Sequence, residues 1–173
     1  FSTYCATSAL YLLNSEPKYK GELEEWLLSI QNVDGSFGNT GRTTFWAFKP
    51  LYLIESKNLD MEKLKEYLLR EATNDPSIVS INGISNCLYL LGLLPDNYDQ
   101  LYKIAYDSII LEGPIGKLYT TLRGVQTVFN LTKLLNARGY RVTWRMELMR
   151  NLVRKFVMPL ESEEGGFSWV VGD

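Results

Sequence analysis

Cys5 and Cys87 are the strongest nucleophiles available to this chain, and no imidazole can activate either one, because the 173 residues include no histidine. A Ser-His-Asp set and a zinc site built with imidazole are therefore absent, and a phosphate-cradling glycine loop is missing as well. Both cysteines sit in apolar helical patterns and read as small core residues of a reduced, cytoplasmic compartment. The nearest approach to an acid cluster is Asp96-Asn97-Tyr98-Asp99, which opens an amphipathic segment and reads as a helix cap. The residues left for chemistry are cations interleaved with aromatics. On a helix at 100° per residue, Phe45, Phe48, Lys49 and Tyr52 share one face, and Trp46, Pro50, Leu53 and Ile54 share the other. Tyr4, Thr7, Ser8 and Tyr11 repeat the first face upstream.

That recurrence defines the elements that must position these side chains. "LYLL" at 10–13 returns as "LYLI" at 51–54 and "LYLL" at 88–91, at offsets of 41 and 37 residues. "STYCATSALYLLNS" (2–15) aligns without a gap on "TTFWAFKPLYLIES" (43–56), pairing Tyr4 with Phe45, Ala6 with Ala47 and Tyr11 with Tyr52. A fourth, degenerate copy spans 118–135. Between these apolar helices lie amphipathic segments at 18–30, 60–72, 96–111 and 143–157, each with one charged face. Asp60, Asp96 and Thr143 stand where N-caps belong. The pattern predicts an all-α fold of four hairpins, about eight helices, each pairing an inner helix with an outer one at a period of roughly 40 residues. The turns "QNVDGSFG" (31–38) and "SEEGGFSW" (162–169) set an acid and glycine before a phenylalanine, so the glycine takes φ > 0 and the ring covers the hairpin end. The corresponding turns near Asp75-Pro76 and Gly113-Pro114 have lost that signature.

"FSTYCATSALYLL", "WLLSIQNVDGSFG" and "EEGGF" give the chain a resemblance to the protein prenyltransferase β-subunits and the squalene-type terpene cyclases, strongest over residues 1–56. The resemblance implies an α/α toroid, partial or open with four hairpins, forming a single repeat domain over 1–173. The chain begins at Phe1 and stops just after "GGFSWVV", which reads as a piece of a longer protein. In the toroid, one face of each inner helix lines a funnel and the other, with Trp46, meets the outer ring. Lys49 assigns the aromatic face to the funnel, where water or an anion keeps it solvated. The β-subunits place arginine and tyrosine of an Arg-x-x-Tyr-Cys-Ala pattern near an isoprenoid diphosphate. Here Arg42-Thr43-Thr44-Phe45-Trp46-Ala47 keeps the arginine, and Phe1-Ser2-Thr3-Tyr4-Cys5-Ala6 keeps Tyr-Cys-Ala. The candidate ligand-binding residues are thus Tyr4, Arg42, Phe45, Phe48, Lys49, Tyr52 and Arg123, and Lys133 joins the cations of the mouth.

The family's catalytic groups are missing. Thr3 and Ser85 stand two residues before the cysteines, where the zinc aspartate would be, and the cyclases' Asp-x-Asp-Asp is absent. The expected function is therefore a binding or interaction module for an apolar ligand, isoprenoids included, or a partner segment, without metal or cofactor. The alternative is part of a prenyltransferase or cyclase whose catalytic residues lie outside this stretch. Exposed end hairpins call for a protein partner, a second copy or further repeats. A net charge of −2 offers no field for nucleic acid, and no apolar run spans a membrane. Asn130-Leu131-Thr132 fits a glycosylation sequon by letter, but it lies in an apolar helix that would exclude a sugar.

Overall fold

The computed structural model describes residues 1–74, 77–109 and 118–140, together with Arg154. Seven helices follow in order: α1 (Ser2–Leu12), α2 (Lys20–Ser29), α3 (Gly41–Leu53), α4 (Met61–Asn74), α5 (Ile78–Leu91), α6 (Tyr98–Asp107) and α7 (Leu118–Ala137). Among the described residues there is no strand, only an isolated bridge between Gln31 and Phe37. The fold is all-α, as the periodicity predicts. The expected helix over 143–157, the turn at 162–169 and those at Asp75-Pro76 and Gly113-Pro114 lie outside the described residues.

The odd-numbered helices form one row, α1 against α3, α3 against α5 and α5 against α7, and α2, α4 and α6 each pack on the odd helix that follows. Ring contacts join Phe1 to Trp46 and Tyr4 to Phe45 at the N-terminal ends of α1 and α3, while Thr7, Tyr11 and Asn14 share a cleft with Leu53–Glu55 at their C-terminal ends. These two helices run parallel. The same holds for α5 and α7, where Asn82 Nδ2 donates to Arg123 O (3.3 Å) and Asn130 Nδ2 to Asn86 Oδ1 (2.8 Å). Between α3 and α5 two glycines meet: a Cβ on Gly83 would lie 2.3 Å from Gly41 O, and one on Gly41 would lie 2.6 Å from Ser80 O. Any larger residue there would push the helices apart.

The repeat is written most plainly in how the inner helices end. Asn14, Glu55, Gly92 and Gly139 all take a left-handed φ (52°, 57°, 65° and 85°). The next residue donates its N–H back across the last turn: Ser15 to Leu10 O, Ser56 to Leu51 O, Leu93 to Leu88 O and Tyr140 to Leu135 O. This is the Schellman closure, which satisfies carbonyls that the helix leaves open. Four helices with different sequences share it, α7 included, so the degenerate copy is a true fourth member.

The 31–38 turn behaves as expected. Gly35 (φ 88°) sits so close to α4 that a Cβ would lie 2.4 Å from the Lys63 carbonyl carbon, and Phe37 is buried. Asp34 Oδ1 accepts from the Ser36 N–H and hydroxyl (3.1 and 2.7 Å), and its Oδ2 accepts from Arg70 Nη2 (2.8 Å), tying the turn to α4. Asp60 caps α4 through the Lys63 N–H at 3.2 Å. The cap of α6 differs: the helix starts one residue later than the Asp96 assignment, on Asn97, whose side chain instead donates to Ala72 O at 2.8 Å.

Phe48, Leu51, Leu64, Leu68, Ile84 and Leu88 make the centre of the core. Cys87 belongs to it, and burial pushes its thiol pKa up. Cys5 does not: it is exposed, because among the described residues α1 has an inner neighbour on one side alone. Asn130 is buried and bonded to Asn86 and Ser85, so its amide is committed to the α5–α7 contact.

Candidate functional site

Because the inner helices end alike, equivalent positions can be counted back from the left-handed residue. Three residues before it stand Tyr11, Tyr52, Tyr89 and Asn136, whose carbonyls each accept its N–H. The three tyrosines of the LYL motifs are 59%, 43% and 42% exposed, so this face of the row is open. Ten residues before it stand Tyr4, Phe45, Asn82 and Phe129. Six residues before it stand Ser8, Lys49, Asn86 and Lys133. The row thus presents a stripe of aromatics on α1, α3 and α7, with lysines on α3 and α7, interrupted on α5 by two buried asparagines.

Of the residues singled out from sequence, Tyr4 and Phe45 are half-buried and in ring contact, with centroids 5.4 Å apart. Lys49 Nζ lies 5.5 Å from the Tyr52 ring centroid, and partial burial lowers its pKa. Lys133 repeats the motif over Phe129 at 5.4 Å. These cation–π contacts hold positive charge against the aromatic stripe. Phe48 departs from the expectation. It is fully buried in the core, not on the open face. On the helix it lies about 60° from Phe45, on the flank where Gly41 brings α5 close. Trp46 is half-buried rather than buried: its ring meets Phe1 and the Arg42 guanidinium (4.2 Å) and joins Trp26 and Leu27 of α2, and Ile30 just after it, around a cleft of about 220 Å³.

Arg42 and Arg123 come from different repeats and lie toward the same end of the row. Arg42 lies in the first turn of α3, and Arg123 Nη1 donates to Val79 O, in the first turn of α5, at 3.4 Å. Burial and the nearby Arg42 charge together pull the Arg123 pKa down to about 10. Positive charge from Arg42 in the first turn of α3 and from Arg123 at the first turn of α5 adds to the positive ends of those helix dipoles. An anion between the two guanidiniums would relieve the repulsion and gain charge-assisted hydrogen bonds.

Tyr89, Phe129, Asn82 and Asn86 were missed by sequence reasoning. The signal that could have found Tyr89 is the LYL motif itself, since its middle tyrosine is open in all three copies. Asn82, Ser85, Asn86, Thr127 and Asn130 bond to one another across α5 and α7, fixing their register. Among the described residues no three His, Cys, Asp or Glu side chains converge as metal ligands, and no helix is long and apolar enough to cross a membrane. Comparison with protein-family models, curated proteins and solved structures finds no match to this chain.

Proposed function

We propose that the chain is a ligand-binding repeat module of the open α/α-toroid type, whose inner face takes an elongated apolar molecule with an anionic end, a prenyl diphosphate being the class that fits best. The observation that carries this reading is the placement of Arg42 and Arg123 at the N-terminal end of a row whose open face presents Tyr4, Phe45, Tyr52 and Tyr89. Aromatic rings in tilted contact suit an unsaturated hydrocarbon chain, and guanidiniums suit the oxygens of a diphosphate. The module holds its ligand and performs no transfer alone in this reading: the buried, protonated Cys87 is no thiolate, and no carboxyl group stands among the residues named.

Calorimetric titration with farnesyl diphosphate, farnesol and inorganic diphosphate separates the parts. The reading expects the intact diphosphate to bind more tightly than either fragment, and Arg42→Ala with Arg123→Ala to reduce its affinity to that of the alcohol. Equal binding of the diphosphate to the doubly substituted chain would remove the anion site. Product formation by the chain alone would favour the enzyme reading instead.

A further inference from the structure

At the C-terminal ends of α1 and α3, away from Arg42 and Arg123, the two helices leave a cleft of about 330 Å³ between them, large enough for a small organic molecule. The repeat explains why it is there. Thr7 and Phe48 both stand seven residues before the left-handed residue that ends their helix. In α3 the Phe48 ring is fully buried in the core; in α1 the position holds a buried threonine that lines the cleft, its hydroxyl donating to Thr3 O at 2.8 Å. The first repeat thus has a space beside Leu53 and Ile54 where it lacks the ring that the second repeat buries. Charge stands at the rim. Glu55 borders this cleft and a second one of about 450 Å³ beside Leu59 and Met61, and Tyr11 is shared by both. Among the described residues Glu55 forms no ion pair, and Lys20, the cation lining the cleft, is taken by Glu16 at 3.1 Å. Glu55 also holds the left-handed φ that Asn14, Gly92 and Gly139 take in the other repeats, so a carboxylate is kept here at a conformational cost that those residues lessen.

We propose that this cleft binds a small organic ammonium with an aromatic body, an arylalkylamine. The second repeat shows what fits beside Thr7, since a phenyl ring fills the corresponding position there. The ammonium group then reaches the rim. There the Glu55 carboxylate accepts charge-assisted hydrogen bonds from it, and the Tyr11 ring, 59% exposed, offers a cation–π contact. Glu16 and Lys20 offset one another, so the residues lining the cleft carry a net negative charge from Glu55. A diphosphate is repelled by that charge, which separates this site from the arginine end of the row. The inference is independent of the ligand proposed for the inner face.

Calorimetric titration of the whole chain with phenethylammonium, phenethyl alcohol and ethylammonium tests this. The first should bind about tenfold or more tightly than either of the others, because the alcohol lacks the charge and ethylammonium lacks the ring. Glu55→Gln, at an exposed position, should bring the amine down to the affinity of the alcohol. Thr7→Phe gives α1 the residue that α3 carries; it should fill the cleft and weaken the amine about tenfold or more while the far-ultraviolet circular dichroism is unchanged. If Thr7→Phe does not fold, the ligand series and Glu55→Gln still decide. Equal affinities for amine and alcohol, undiminished amine binding by Glu55→Gln or by folded Thr7→Phe, or no binding of the amine at millimolar concentration each overturns the proposal.

Discussion

Gly83→Ala should destabilise the protein although alanine is the better helix former. In an exposed helix this change gains about 0.8–1 kcal/mol from propensity alone. In α5 the new methyl carbon would stand 2.3 Å from Gly41 O and 2.4 Å from Gly41 C, both backbone atoms that no rotamer change can move. Ordinary contact needs at least about 3.4 Å, so α3 and α5 must part by roughly 1 Å along much of their crossing. Phe48, Ile84 and Leu88 are fully buried near that crossing and would lose packing. Overpacking of this kind costs typically 1–3 kcal/mol, and against a propensity gain of about 1 kcal/mol that leaves a net loss of up to about 2 kcal/mol, toward the upper end because the clash is with backbone. Gly21 in α2 provides the control, since a Cβ there meets nothing within 4 Å, and Gly21→Ala should stabilise by up to about 1 kcal/mol. Urea unfolding followed by circular dichroism measures both. If Gly83→Ala stabilises as Gly21→Ala does, the inner helices do not cross at these glycines and the row is wrongly drawn.

Two further outcomes follow from local geometry. Glu55 holds a left-handed φ of 57° at a site where the other repeats use Asn14, Gly92 and Gly139, so Glu55→Gly should raise stability by about 1 kcal/mol in thermal or urea unfolding; a loss would mean that the carboxylate makes a contact outweighing the strain. The Asp34 carboxyl is held below its usual range, first by the Ser36 hydroxyl bond and also by Arg70. Its contribution is therefore complete above the unfolded-state value near pH 4 and is lost as pH falls through the lower folded value. Stability of the native chain should drop more steeply between pH 5 and 3 than that of Asp34→Asn, and parallel pH profiles would show the turn to be independent of this carboxylate.

What the sequence revealed, and what it hid, divides along physical lines. Alternating inner and outer helices, the Gly35–Phe37 turn and the Asp60 cap depend on contacts within a few residues or on one hydrophobic period, and all are readable from letters. Phe48 is different. Periodicity places it beside Phe45 and Tyr52, but the side on which α5 arrives is decided by Gly41 and Gly83, distant in sequence, and that approach turns Phe48 into the core. Cys5 looks like Cys87 within its own helix, and its exposure comes from α1 standing at the edge of the row. Tyr89 escaped notice because Asn82 and Asn86 replace the aromatic and cationic residues around it, breaking the pattern that marks Phe45, Lys49 and Tyr52. Those asparagines face α7, a pairing that no local signal announces.

The central claim, that the inner helices share one open ligand-binding face, is tested most directly by nuclear magnetic resonance of ring-labelled tyrosines during titration with farnesyl diphosphate. Tyr11, Tyr52 and Tyr89 come from three repeats yet occupy one position on the face, so their resonances should shift together with a single dissociation constant. Tyr19 and Tyr140, exposed elsewhere, should remain unmoved. Shifts confined to one repeat, or an equal response from Tyr19, would contradict a shared face.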